Sequence, residues 1–317
     1  MSVTESIRRA CEAVARRARF VRIDEARVEA YALSLPLERA IAPSVDWGRH
    51  YRGDEAGTAA YFVTLDAINF GSGYFPHLAK RAGMSGYFTV AVSLKEEFER
   101  NGVMPAERLA GIRAAECAGI FGQEAGNGAA MELMGLFAGA LNDLGRLLLA
   151  KYDGRVERMI GAAGTSAEKL VEVLAEMPFF RDVSEYEGMA VPFYKRAQLT
   201  AADLSIALEG RGLGAFEDLD RLTIFADNLV PHVLRVDGVL KYDDGLAGRI
   251  DREELIAAGS AEEVEIRACA VHAVELMRAA LGGRATAMGL DYVLWNRGQE
   301  RAYKAIKPRH RARSVYY

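Results

Sequence analysis

Apolar residues recur at three- and four-residue steps along most of the chain, the period of a helix buried on one side. Residues 4–19 place Ile7, Cys11, Val14 and Ala18 on one face. The stretch "SGYFTVAVSLKEEFERNG" aligns Tyr87, Val90, Ala91, Leu94 and Phe98 and stops at Gly102. Pro105 suits the first position of a following helix through Leu109, Ile112 and Ile120, where a missing N–H costs nothing. Residues 129–152 carry Met131, Met134, Phe137, Leu141, Leu144 and Leu148 in register, with the two methionines read as core filler. Thr165 with Glu168, and Ser260 with Glu263, form two capping boxes that open helices ending at Pro178 and Gly282. Pro192 reads as the start of a helix through "KRAQLTAADL". Strand signals are thin, and the apolar run "AAYFVTLDAINF" fits either period. The pattern predicts a mainly α fold with minor strand content.

One helical pattern is irregular. In "RLTIFADNLVPHVLRVDG" (221–238), Leu222, Phe225, Ala226, Leu229, Val230, Val233 and Leu234 keep helical spacing. Yet Asp227 sits beside that apolar stripe, and Pro231 interrupts it. A carboxylate at the edge of a core needs a reason, since burying a charge is costly.

Composition narrows the function classes. With 317 residues, half of them hydrophobic, the chain can build a large core. The formal net charge of -4 disfavours a stable nucleic-acid partner. Cys11, Cys117 and Cys269 are odd in number and widely separated, which argues against a disulfide framework or a zinc site and suits a reducing cytoplasm. No uninterrupted apolar run approaches the length a bilayer needs, so no membrane partner is expected. There is no GxxxxGK[ST] loop and no HExxH.

Three further segments carry chemistry. His50 lies in "DWGRHYRG" beside Trp47 and Tyr51, a composition shared by pocket-lining and exposed loops. Lys195 and Arg196 fall in an expected first helical turn, where the dipole disfavours cations; either an anion site or a solvated basic turn accounts for them. In "LDYVLWNRGQE", helical spacing puts Asp291, Tyr292, Trp295 and Asn296 on neighbouring faces. Carboxylate, phenol, indole and amide together could line a site for a planar heterocycle, or belong to a structural helix. The basic tail ending "SVYY" reads as a docked C-terminus.

These segments together resemble the queuosine salvage proteins, the queuosine 5'-phosphate N-glycosylase/hydrolase family. The resemblance is carried in order by "LDAINF" with "SGYF", "FYKRAQLTAADL", "TIFADNLVPHVL", "EVEIRACAVHAVEL" and "LDYVLWN". It covers most of the chain and implies a single glycosylase domain over residues 1–317, built as one mass or as two interlocked helical lobes. It further implies a fold similar to helical DNA glycosylases and hydrolysis of queuosine 5'-monophosphate to free queuine for tRNA modification. No cofactor or metal is implied.

Carried over by position, the resemblance implies queuine contacts from His50, Phe225, Asp227, Asp291, Tyr292 and Asn296. Asp227 becomes the catalytic carboxylate. Lys195 joins it in the catalytic network or binds the 5'-phosphate. Asn296 stands where many members carry Asp, and "FADNL" replaces "FADYR". Two alternatives remain at this point: a noncatalytic carrier of queuine or its nucleotide, and a helical glycosylase acting on a flipped base in nucleic acid.

Overall fold

The computed structural model describes residues 1–38 and 43–317. The fold is mainly α, and among the described residues two two-stranded antiparallel sheets hold all the named strands. The chain forms two compact units, each assembled from separated segments.

The first unit comprises Met1–Pro43, Asp182–Lys195 and Asp218–Arg313. The helix Ala261–Ala280 runs through its core, opened by Ser260, whose hydroxyl accepts the Glu263 N–H. The helices Val3–Arg17 and Glu25–Leu33 pack against it. Of the expected face of the first helix, Ile7, Cys11 and Val14 are buried, joined by Ala10, while Ala18 is the half-buried C-cap. Glu263, Glu265 and Arg267 are buried in that central helix with the apolar residues, so each must find partners. Glu265 does so by accepting the N–H groups of Arg19, Phe20 and Val21 with one oxygen and the Tyr186 hydroxyl with the other.

Strand Val21–Ile23 pairs with Leu240–Tyr242, and Val183–Tyr186 with Met189–Pro192. The second pair is a hairpin closed by Glu187 and Gly188, both at positive φ, the geometry that matches strand twist. This corrects the reading of Pro192. It ends a strand, and the next helix begins at Lys195.

The irregular stretch is also not one helix. Residues 222–226 form neither helix nor strand, and the helix is Leu229–Val236. Pro231 therefore lies in a first turn, where its missing N–H has no helical acceptor to lose. This helix packs against Ala287–Gln299. Gly298 makes the approach possible, since a Cβ there would meet Leu229 at 2.7 Å.

The second unit comprises Ser44–Arg181, Arg196–Glu217 and Ser314–Tyr317. The ambiguous run at 59–70 is helical over Glu55–Ala67 and buried on nearly every face, which explains its lack of periodicity. Gly128–Lys151 is long and apolar enough to cross a membrane, which the sequence reading did not expect. Here its apolar face is buried through Leu133, Met134, Phe137, Leu141, Leu144 and Leu148, while Met131 is only half-buried. The helix expected after Pro105 is two, Ala106–Gly111 and Ala114–Phe121. The cap of Ala167–Leu174 is Ser166 rather than Thr165. The tail docks as expected, with Tyr317 buried and its carbonyl accepting the Gly71 N–H.

Candidate active site

In the first unit, residues 222–227, which form neither helix nor strand, carry Phe225 and Asp227 to the start of a helix. Asp227 is half-buried. Its Oδ1 accepts the N–H groups of Leu229 and Val230 at 2.7 and 3.1 Å. The carboxylate thus stands in for the side-chain cap that the helix otherwise lacks. Among the described residues, Oδ2 has no hydrogen-bond partner.

Asp291 lies in the second turn of Ala287–Gln299 and is 5% exposed. Its Oδ1 accepts the Phe225 N–H at 2.9 Å, so this helix holds that segment in place. Its Oδ2 likewise makes no hydrogen bond among the described residues. Burial pushes the Asp291 carboxyl well above the usual carboxylate range, and the Asp227 charge pushes it further. The Phe225 N–H and the Lys195 charge act in the opposite direction. A buried carboxyl raised by a neighbouring carboxylate is the arrangement expected where a ligand supplies the missing donors or positive charge.

Lys195 is 6% exposed and begins the helix Lys195–Ala207. Its backbone N–H donates to Asp182 Oδ2 at 3.1 Å. The neighbouring Arg196 belongs to the second unit and is no anion site. Its guanidinium donates to the carbonyls of Asp66, Ala67, Phe179 and Val315, between the rings of Phe70 and Phe180.

Tyr292 is half-buried, and its carbonyl accepts the Asn296 side-chain amide at 2.8 Å. Asn296 therefore spends one donor on its own helix. Phe225, Asp227, Asp291, Tyr292, Asn296 and Lys195 all lie in the first unit.

His50 lies in the second unit and is buried. Its Nδ1 faces the Asp46 carbonyl at 2.9 Å, which can only accept, so Nδ1 carries the proton. Nε2 then accepts from the Tyr87 hydroxyl at 3.0 Å. Burial lowers the imidazole below its ordinary range, and the ring is stacked on Phe62.

The structure adds residues that the sequence reading left without roles. Arg267, 1% exposed, forks onto Asp182 at 3.0 and 2.6 Å and donates from Nε to the Ala226 carbonyl at 3.0 Å. A cation buried among Val264, Ile266 and Ala268 on a largely apolar helix was the available signal. Arg309, half-buried, makes no hydrogen bond or ion pair among the described residues. Burial lowers its guanidinium below the ordinary range, and the Asp227 charge opposes this. The tail is held there by the Asn228 side chain, which donates to the His310 carbonyl at 3.1 Å. Burial, aided by the charges of Arg267, His232 and Arg309, drives the His310 imidazole down to about 3.

Comparison with known proteins gives the family. The family described as queuosine salvage protein matches residues 49–317. A queuosine 5'-phosphate N-glycosylase/hydrolase from Sphaerobacter thermophilus is 38% identical over 312 residues, 96% of this chain and 95% of that one. Proteins with the same name from Dictyostelium discoideum and Mus musculus are 33% and 39% identical. The former covers 82% of this chain and 78% of its own; the latter covers 56% of each. The chain belongs to the queuosine salvage protein family.

Proposed function

We propose that this protein hydrolyses the N-glycosidic bond of queuosine 5'-monophosphate and releases queuine. The observation that carries this reading is the Asp227–Asp291 pair. Each carboxyl spends one oxygen on the backbone and leaves the other without a hydrogen-bond partner among the described residues, beside the apolar Phe225.

The chemistry suits that pair. Queuine is a 7-deazapurine, so position 7 is carbon and cannot be protonated to help the base leave. The enzyme must instead stabilise the positive charge that develops on ribose. A carboxylate fixed near C1' does so strongly, because a preorganised charge in a dry site needs no reorganisation. Asp227 has that fixity, since two helix N–H groups anchor its other oxygen. The bond from C1' to the base nitrogen breaks, water supplies hydroxide to C1', and its remaining proton ends on the base. Related carboxylate chemistry governs glycoside hydrolysis.

Asp291 accepts hydrogen bonds from the amino edge of the base, where two donors match one carboxylate. Phe225 stacks on the heterocycle, with Tyr292 and Asn296 at its rim. The placement of His50 against queuine rests on the family resemblance. Lys195 works with the carboxylate pair, whose Asp291 feels its charge. Arg309 is the candidate for the 5'-phosphate, because its donors are unused among the described residues and its side chain is already desolvated. The three cysteines are buried free thiols, which supports a cytoplasmic setting.

Incubation with queuosine 5'-monophosphate, with mass detection of queuine, tests the reading. Release from the nucleotide but not from intact tRNA supports it. Tight binding without release indicates a carrier, and release from tRNA indicates a nucleic-acid glycosylase.

A further inference from the structure

The turn that delivers Lys195 is held at one point. Phe193 and Tyr194 donate their N–H groups to the Asp182 carbonyl at 2.9 and 3.2 Å. Lys195 donates its own to Asp182 Oδ2 at 3.1 Å. Three consecutive backbone donors thus converge on one residue. Tyr194 adopts φ of 46°, a left-handed conformation that a bulky side chain avoids unless its surroundings impose it.

Asp182 is itself gripped. Arg267 donates to both of its carboxylate oxygens, at 3.0 and 2.6 Å, and the guanidinium lies 3.9 Å from the centre of the Phe193 ring. The remaining arm of the same guanidinium reaches the Ala226 carbonyl at 3.0 Å. Ala226 immediately precedes Asp227. A guanidinium is planar and its donor directions are fixed, so the three hydrogen bonds set a distance as well as a connection.

We propose that Arg267 and Asp182 form a positioning bracket that fixes Lys195 relative to Asp227 for the glycosidic reaction. The inference rests on the reading that these two residues do the chemistry. Neither bracket residue touches the reacting atoms; both act through the backbone next to a working side chain. Stability alone is a poor account of the pair. A buried ion pair is commonly no better than apolar packing of equal volume, and this one also maintains a left-handed Tyr194. Placement is where it has value, because a misplacement of about 1 Å in a catalytic group can cost on the order of 100-fold in rate.

The test is a kinetic cycle on the full-length protein. Arg267→Lys keeps the charge and loses the fork. The bracket predicts a fall in kcat of roughly 10- to 100-fold with KM within about threefold, at a folded fraction unchanged by circular dichroism. In the Asp227→Asn background, measured in single turnover with excess enzyme, the same change should have little further effect, because there is no longer a carboxylate to position. Asp182→Asn is the gentler second variant and serves if Arg267→Lys does not fold. It keeps an acceptor for the Lys195 N–H and should lose about 3- to 10-fold in kcat with the same non-additivity.

A folded Arg267→Lys or Asp182→Asn protein with wild-type kcat overturns the bracket. So does an equal loss in both backgrounds, which is the signature of a merely structural role. An Asp227→Asn protein with wild-type turnover would instead remove the catalytic reading itself, and the bracket with it.

Discussion

The two units each bury an arginine almost completely, and they use it differently. Arg196, in the second unit, donates to four main-chain carbonyls from three separated stretches of chain. Arg267, in the first, donates to the Asp182 carboxylate and to the carbonyl beside Asp227. His50 and the two carboxyl groups of the candidate site differ as well. In the second unit both ring nitrogens of His50 are occupied. In the first, Asp227 and Asp291 each keep an oxygen without a hydrogen-bond partner among the described residues. Saturated partners hold a buried polar side chain in one place. Buried acceptors left open cost stability and point to a ligand that completes them.

The comparison breaks first at Arg196. Arg196→Leu should strand several buried carbonyls and destabilise the protein by more than ~3 kcal/mol. Turnover per folded molecule should stay near wild type. Urea titration with activity normalised to the folded fraction checks both statements; a loss of kcat in fully folded protein would make Arg196 more than scaffold.

Asp291→Ala should weaken binding of the base by about 1 to 3 kcal/mol, because two base donors lose their acceptor. Calorimetry with queuine measures it. Unchanged affinity would move the base pocket elsewhere.

Gly298→Ala pushes a methyl group into Leu229 and Val233. It should cost roughly 1 to 3 kcal/mol in stability, and the displaced helix should carry Asp227 with it and lower kcat. A neutral result in both would show that the helix contact does not set the site.

The smallest effect is the most diagnostic of an open acceptor. Asp291 has a raised folded-state carboxyl. A raised acid contributes stability below its unfolded range of about 4 and loses it as pH rises through the folded value. Asp291→Asn keeps an acceptor for the Phe225 N–H and carries no charge. Its Tm advantage over wild type should therefore be larger at pH 9 than at pH 5, in the absence of ligand. An advantage independent of pH would contradict the assigned cause.

Much of the fold was legible because helix periodicity and caps are local. Ser260, Gly102 and the face of Ile7, Cys11 and Val14 act within a turn or two of themselves. Residues 222–226 depart from the helix their spacing predicts because their backbone is set by distant partners, Asp291 on Phe225 and Arg267 on Ala226. The apolar spacing there records burial rather than helix. Asp227 stood out in the sequence as a carboxylate against core, and Asp291 as one of several polar neighbours on a helix, but the family resemblance supplied their roles. The pairing of Asp182 with Arg267 stayed silent because the two are 85 residues apart in the chain, and Arg267 lies 41 from Ala226. No local pattern encodes a pairing of that kind.

The central claim is that Asp227 supplies transition-state charge in the release of queuine. The direct measurement is turnover of queuosine 5'-monophosphate by wild type and Asp227→Asn, with binding of the nucleotide measured alongside. The account predicts a loss of at least ~100-fold in kcat with affinity largely kept, since the charge matters most after the bond begins to break. An asparagine protein that turns over within about threefold of wild type, a gap under ~1 kcal/mol, would contradict it.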